Sequence, residues 1–305
     1  MSKLEHTSRI GVVLPWAVSL LLLVALLLIG LRSRDSTVDT FGNIVKKSRT
    51  LSDMRINLLR AVEAEKSAVL AETDEDSRIF ADQALFAADQ VETDRLQLEP
   101  IFQQEHLTEE IRLFGQFETC WNEFRRLDRV ILDLAVQNTN LKAAALSRTK
   151  GSEAVERFDR NLSGLIEAYS RQGARSAIPD MAYQALVAAL KIYSLHPTHI
   201  QAATDEEMDL IEGTMKTYDR IARANLTALT PLVGDDGREM LTGAAAAYDD
   251  LMKLTDELLK LSRANTNIKS MELSLGKKRI IAAQCEDTLT ALNAAIQNRT
   301  FKATR

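Results

Sequence analysis

Residues 137–143 read QNTNLKA and residues 264–270 read ANTNIKS, so one Asn-Thr-Asn-(Leu/Ile)-Lys string stands twice, 127 positions apart. Each copy lies in a long stretch without proline. If the string were a loop, the apolar series around it would lose the three-to-four spacing of one buried helix face. Instead Phe124, Leu127, Ile131, Leu134, Asn138, Leu141 and Ala145 keep step, as do Leu254, Leu258, Leu261, Asn265 and Ile268. The spacing predicts uninterrupted helices over 108–172 and 236–299, each on the order of 95 Å long at 1.5 Å rise per residue.

The repetition extends beyond the motif. Residues 118–147 lie on 245–274 without a gap, and at an offset of 131 residues 73–75 (TDE) and Pro100 lie on 204–206 (TDE) and Pro231. The chain therefore duplicates a short-short-long helix unit. The shorter helices read as 36–72, 75–101, 178–201 and 205–231. Pro100, Pro179, Pro197 and Pro231 mark their ends or starts, and Thr73-x-x-Asp76, Thr108, Thr204-x-x-Glu207 and Asp236-x-x-Glu239 supply N-terminal caps. Three helices cannot close a four-helix bundle, so each unit must borrow half a long helix from the other. The expected fold is all-α, with two stacked four-helix bundles: a proximal one from 36–138 with 266–305, and a distal one from 139–265. The long helices run antiparallel, and Asn138 and Asn265 face each other at the junction. Polar core residues that bond one another cost packing but fix register.

Composition agrees. The chain is 46% hydrophobic with 5% aromatic residues, and its few glycines and prolines suit bundles rather than sheets. A net charge of -5, spread along the sequence, excludes a nucleic-acid surface. No Gly-rich phosphate loop and no Ser/His/Asp or Cys/His set is readable, so neither an enzyme nor a cofactor is expected. His196 and His199 flank Pro197 with no clear third ligand, which reads as a helix end rather than a metal site. Cys120 and Cys285 are too few for a zinc or redox motif. Antiparallel pairing through Asn138 and Asn265 puts the two cysteines near one layer. Helix axes pack about 8–10 Å apart and a disulfide needs Cα atoms within about 7 Å, so two buried thiols are expected.

Ile10 to Leu31 is an uncharged apolar run of the length a membrane-crossing helix needs. It is too long for a cleaved signal peptide, so residues 1–35 read as a short N-terminus plus an anchor, with Trp16 near one interface. Lys3 and Arg9 precede the span, and Arg32, Arg34, Lys46, Lys47 and Arg49 follow it; this asymmetry does not by itself favour export of the region beyond.

An anchor followed by six helices, two of them long, resembles the helical bimodular and four-helix-bundle sensor domains of bacterial chemoreceptors (methyl-accepting chemotaxis protein-like) and some histidine kinases. The wording of 53–75 (DMRINLLRAVEAEKSAVLAETDE) and 130–147 (VILDLAVQNTNLKAAALS) carries the resemblance. It implies a single-pass inner-membrane protein whose main domain, 36–305, is periplasmic. It also implies a homodimer, chemotactic signal transduction, and a small bound ligand, often a carboxylate. Such receptors continue into a second span and a signalling region, whereas this sequence stops at FKATR (301–305). A carboxylate ligand calls for Arg near a bundle interior. Arg55 and Arg60, with Gln90 or Thr93 across from them, are the proximal candidates, and Arg157, Tyr183 and Tyr218 the distal ones. The alternative function is a helical interaction module without a ligand pocket, docking a periplasmic or membrane protein.

Overall fold

The computed structural model describes residues 42–171 and 177–303, the last four by backbone alone. The apolar run 10–31 lies outside the described residues. Within them the chain is all helical, and no helix is long and apolar enough to cross a membrane. We label the helices α1 (42–70), α2 (Asp74–Glu105), α3 (Thr108–Ala135), α4 (Thr139–Leu146), α5 (Ser152–Ser170), α6 (Ile178–Gln201), α7 (Asp205–Leu229), α8 (Asp235–Ala264), α9 (Thr266–Leu273) and α10 (Arg279–Ala303).

Local chemistry sets several of these ends. The Thr73 hydroxyl oxygen accepts from the Asp76 backbone N–H at 3.0 Å and opens α2, and Thr204 accepts from Glu207 N–H at 3.2 Å and opens α7. Pro179 sits in the first turn of α6, where its missing N–H costs nothing, and Pro231 follows the end of α7. Two prolines depart from expectation. Pro100 and Pro197 lie inside α2 and α6, each within the last turn or two rather than at the boundary.

The long runs 108–170 and 235–303 have about the expected length, but they are not uninterrupted. Asn138 (φ 50°, ψ 39°) and Asn265 (φ 54°, ψ 37°) are left-handed. Asn tolerates that conformation better than most residues. One residue in this geometry stops the helix and restarts it, and past it the buried positions are Ala143 and Ser147, and Ser270 and Ser274, rather than Leu141 and Ala145 or Ile268. A second irregularity recurs at the same offset: π-helical turns at Ser147–Gly151 and Ser274–Lys278.

The chain divides into two compact units. The first combines 42–60, Ala87–Trp121 and 283–303. Its core includes Leu51, Met54, Leu58, Phe102, Phe117, Trp121, Leu289 and Leu292, all buried. Trp121 donates its indole N–H to Glu92 at 2.8 Å, and Lys47, fully buried, reaches Glu105 and Glu110 at 2.6 Å each. Cys120 and Cys285 are joined by a disulfide with Cα atoms 5.6 Å apart, not held as two thiols. The expectation failed because it compared Cα separation with axis separation. Each Cα stands about 2.3 Å off its own axis, so facing residues come several ångströms closer than the axes.

The second unit combines Ala61–Phe86 and Asn122–Ala282. Phe158, Leu162, Leu165, Ile192, Met215, Tyr248 and Leu251 form its largest apolar cluster, with the Phe158 and Tyr248 rings 5.4 Å apart.

Candidate functional site

The two Asn-Thr-Asn strings meet within the second unit and cap each other. A helix start leaves backbone N–H groups without partners, and neither Asn138 nor Asn265 caps its own helix. Thr139 N–H donates to Thr266 Oγ1 (3.2 Å), and Thr266 N–H donates to Thr139 Oγ1 (3.1 Å). Asn140 N–H reaches Asn267 Oδ1 (3.1 Å), and Asn267 N–H reaches Asn140 Oδ1 (3.3 Å). The side-chain amide of Asn140 donates to Asn265 Oδ1 (2.7 Å) and that of Asn267 to Asn138 Oδ1 (3.0 Å). The motif's lysines close the helices just before the break: Lys142 donates to the Gln137 carbonyl and Lys269 to the Ala264 carbonyl. Every polar letter of the repeated string thus has a backbone group or its counterpart to satisfy. Asn138 and Asn265, expected to bond each other within unbroken helices, instead break those helices and each pair with the third residue of the other string, Asn138 with Asn267 and Asn265 with Asn140.

Next to this clasp each π-turn faces a buried polar layer, and the duplication relates the two layers position by position. One comprises Glu65 on α1, Asp128 on α3, and Ser274 and Lys278 in the π-turn, all essentially inaccessible to solvent. Lys278 donates to Asp128, stands 3.8 Å from Glu65, and lies over the Phe124 ring at 3.9 Å. Both Glu65 oxygens, Asp128 Oδ2 and the Ser274 hydroxyl lack a hydrogen-bond partner. Burial pushes the Glu65 carboxyl above its ordinary range, with Lys278 and the adjacent Ser274 hydroxyl opposing and Asp128 adding to the rise; burial also raises Asp128.

At the matching positions the other layer has His196, Thr255, Ser147 and Gly151. Thr255 donates to the Leu251 carbonyl (2.8 Å), so it accepts from His196 Nε2–H at 3.0 Å; His196 Nδ1 then accepts from Ser147 at 3.0 Å. The imidazole is neutral, and burial lowers its pKa to about 4. Gly151 stands where Lys278 stands in the other copy. A Cβ there would stand 3.3 Å from the Tyr193 ring and 3.4 Å from Leu254, so the position is closely packed. His199, also buried, contacts Ser262 at 2.8 Å and Glu212 at 3.2 Å, and Glu212 is held by Arg263 at 2.6 Å. Among the described residues no grouping of three or more His, Cys, Asp and Glu is fit to hold a metal.

The residues expected to bind ligand fall at three separate places. Arg55 edges a groove of about 200 Å³ between α1 and α10, lined also by Leu51, Ser52, Ile56, Leu289, Thr290 and Asn293. Its guanidinium is half exposed and pairs with Glu286 at 2.7 Å. Arg60 and Gln90 share a second groove, of about 290 Å³, with Asp53, Asn57 and Asp94. Burial, with the nearby Asp53 adding, raises the Asp94 pKa. Thr93 is exposed, its hydroxyl donating to the Asp89 carbonyl. Arg157 pairs with Asp250 at 2.9 Å in a groove of about 380 Å³ where Lys150 and Lys253 are matched by Glu153 and Glu257. Tyr183 is exposed, and Tyr218 is half-buried against the large apolar cluster.

Sequence reading passed over the ionic layer, although its signal is present. Glu65 continues the series Leu51, Met54, Leu58, Ala61, and Asp128 continues Phe117, Trp121, Phe124; a charge on a core-facing phase announces a buried charge.

No family profile and no curated protein matches this chain. Among solved structures it is similar to a chain of the TorS sensor domain–TorT complex determined in the presence of TMAO, at TM-score 0.40 and 11% identity over 83% of this chain and 99% of that one. A likeness so slight assigns nothing to this chain.

Proposed function

We propose that this protein is a membrane-anchored, extracytoplasmic ligand-sensing domain of a signal transducer, held by residues 10–31 and binding a small amphipathic organic acid in the α1–α10 groove. The observation that carries the reading is the composition and place of that groove. It offers one cation (Arg55), hydroxyl and amide side chains (Ser52, Thr290, Asn293), Ser52 already donating to the Ser48 carbonyl, and an apolar floor (Leu51, Ile56, Leu289). An anion with a short apolar body requires this combination. The groove with Arg60 and Gln90 carries two aspartates against one arginine, and the groove with Arg157 is charge-neutral, so both suit a carboxylate less well.

The place matters as well. α1 is the first described helix after the apolar run, and α10 lies antiparallel to it, with Ser48 bonded to Asn293 and Arg55 to Glu286. A ligand wedged between them would bias the helix that leads from the anchor, which is how binding becomes a signal. The Cys120–Cys285 disulfide supports an oxidising compartment, and hence the periplasmic side, where the charge asymmetry around the span gives no guidance.

The test is a thermal-shift screen of the full chain in detergent against small mono- and dicarboxylates and amino acids. Dose-dependent stabilisation by one acid class, lost in Arg55→Gln, is the expected result. Stabilisation that survives Arg55→Gln would move the site elsewhere. Silence from every compound would favour the interaction module.

A further inference from the structure

The Glu65 layer raises a question of charge that the α1–α10 groove does not touch. Two carboxylates and one ammonium share a volume closed to solvent. Lys278 gives its hydrogen bond to Asp128 and stands 3.8 Å from the nearest Glu65 oxygen. Lys278 is the cation in contact with both carboxylates. α1 contributes Lys66, which acts on Glu65 only weakly, α3 contributes Arg125, which acts on Asp128, and α2 packs Ala81 and Ala84 into the neighbouring core. Both Glu65 oxygens are without a hydrogen-bond partner, and so is the adjacent Ser274 hydroxyl. An ionised carboxylate left unpaired in such a place costs far more than one that keeps its proton.

We propose that Glu65 is a proton-binding site. Its carboxyl holds a proton in the folded domain near neutral pH and releases it when the contact between α1 and the Ser274–Lys278 turn opens. The proton is then an input to the domain, independent of any ligand. Asp128, hydrogen-bonded by Lys278, remains the ionised partner. Burial raises both carboxyls, and the Lys278 hydrogen bond, which opposes the rise at Asp128, is what divides them; the titration belongs to the pair as a whole. The location gives the proton leverage. Glu65 lies on α1, and the turn it faces is an irregular one of the kind that tolerates rearrangement.

Two measurements on the full chain test this. A group whose pKa rises on folding contributes stability below its unfolded pKa, here near 4.5, and loses it as pH climbs through the folded value. The melting temperature should therefore fall by about 2–4 °C or more between mildly acidic and mildly alkaline pH. Glu65→Gln should remove that slope and melt higher than wild type at the alkaline end. Infrared spectroscopy at pH 7 should show the carbonyl band of one buried protonated carboxyl. That band should vanish in Glu65→Gln, and also in Asp128→Asn, where Glu65 becomes the sole partner of Lys278 and ionises. Absence of the band in wild type, its persistence in Glu65→Gln, or an unchanged slope in that variant would overturn the proposal. Should Glu65→Gln fail to fold, the wild-type and Asp128→Asn spectra decide.

Discussion

Glu65 and His196 occupy equivalent places in the two copies of the repeat, each buried and facing a π-turn, yet their surroundings solve the same problem with different chemistry. Around Glu65 the layer is ionic and leaves polar atoms unmatched; around His196 it is neutral, with both ring nitrogens bonded. The contrast recurs two helical turns away. Cys120 and Cys285, one from each copy, form the disulfide, and the positions that the repeat relates to them, Ala247 and Phe158, are buried apolar residues. One set of positions is held by charge and a covalent clip, the other by packing and neutral hydrogen bonds. A buried ion pair contributes little net stability but is costly to break, so the ionic layer has the stronger response to a change in its charges.

Removing one charge gives the largest expected difference between the copies. Lys278→Met leaves Glu65 and Asp128 buried without a cation and should destabilise by about 3–5 kcal/mol in urea unfolding. In the neutral layer Thr255→Val, at the position matching Asp128, removes one neutral partner and should cost about 1–3 kcal/mol. Equal losses would abolish the distinction.

The clip and its packed counterpart come next. Reduction of Cys120–Cys285, which spans 165 residues, should cost about 2–5 kcal/mol. Phe158→Ala should cost about 3–5 kcal/mol through the cavity it leaves against Tyr248. A reductant should leave the Phe158→Ala penalty unchanged, which urea unfolding with and without reductant would show.

Much of this was legible in the sequence, and the part that was not has a physical cause. Duplication, helix content and the meeting of the two Asn-Thr-Asn strings follow from spacing alone. The break at Asn138 and Asn265 does not, because apolar residues such as Leu134 and Leu141 keep helical spacing in the sequence while the buried positions past the break are the small Ala143 and Ser147. The surroundings of the ligand arginines were hidden for a different reason. Arg55 and Arg157 each face a protein carboxylate from a helix distant in sequence, Glu286 and Asp250, which no local pattern reveals.

Acid tests the neutral copy as alkali tests the ionic one. His196 has a folded pKa of about 4 against an ordinary 6.5, so its contribution is fully present above 6.5 and is lost as pH falls through the folded value. Over that range the loss amounts to about 3 kcal/mol. Stability measured from pH 7 down to pH 4 should decline by an amount of that order, and His196→Gln, which can still bond Ser147 and Thr255, should reduce the decline. An undiminished slope in that variant would move the acid sensitivity to another group, with His199 and its Glu212 partner the first to test.

The smallest effect concerns the clasp, where the copies are most alike. Asn138 and Asn265 share the left-handed backbone, so Ala at either position pays the same conformational strain, while Gly removes the side chain without it. Their side chains differ in what they hold. Asn265 accepts from Asn140 and donates to the Ala202 carbonyl, both in the interior. Asn138 accepts from Asn267 but donates to Asp74, whose side chain is partly exposed and also pairs with Lys142. Water can replace the Asp74 bond and cannot easily reach Ala202. Asn265→Gly should therefore cost more than Asn138→Gly by about 1 kcal/mol, the net value of one buried hydrogen bond. Paired urea titrations of the two variants measure the difference directly. Equal values would mean that the clasp is energetically symmetric and that the inequality of the copies begins only at the polar layers.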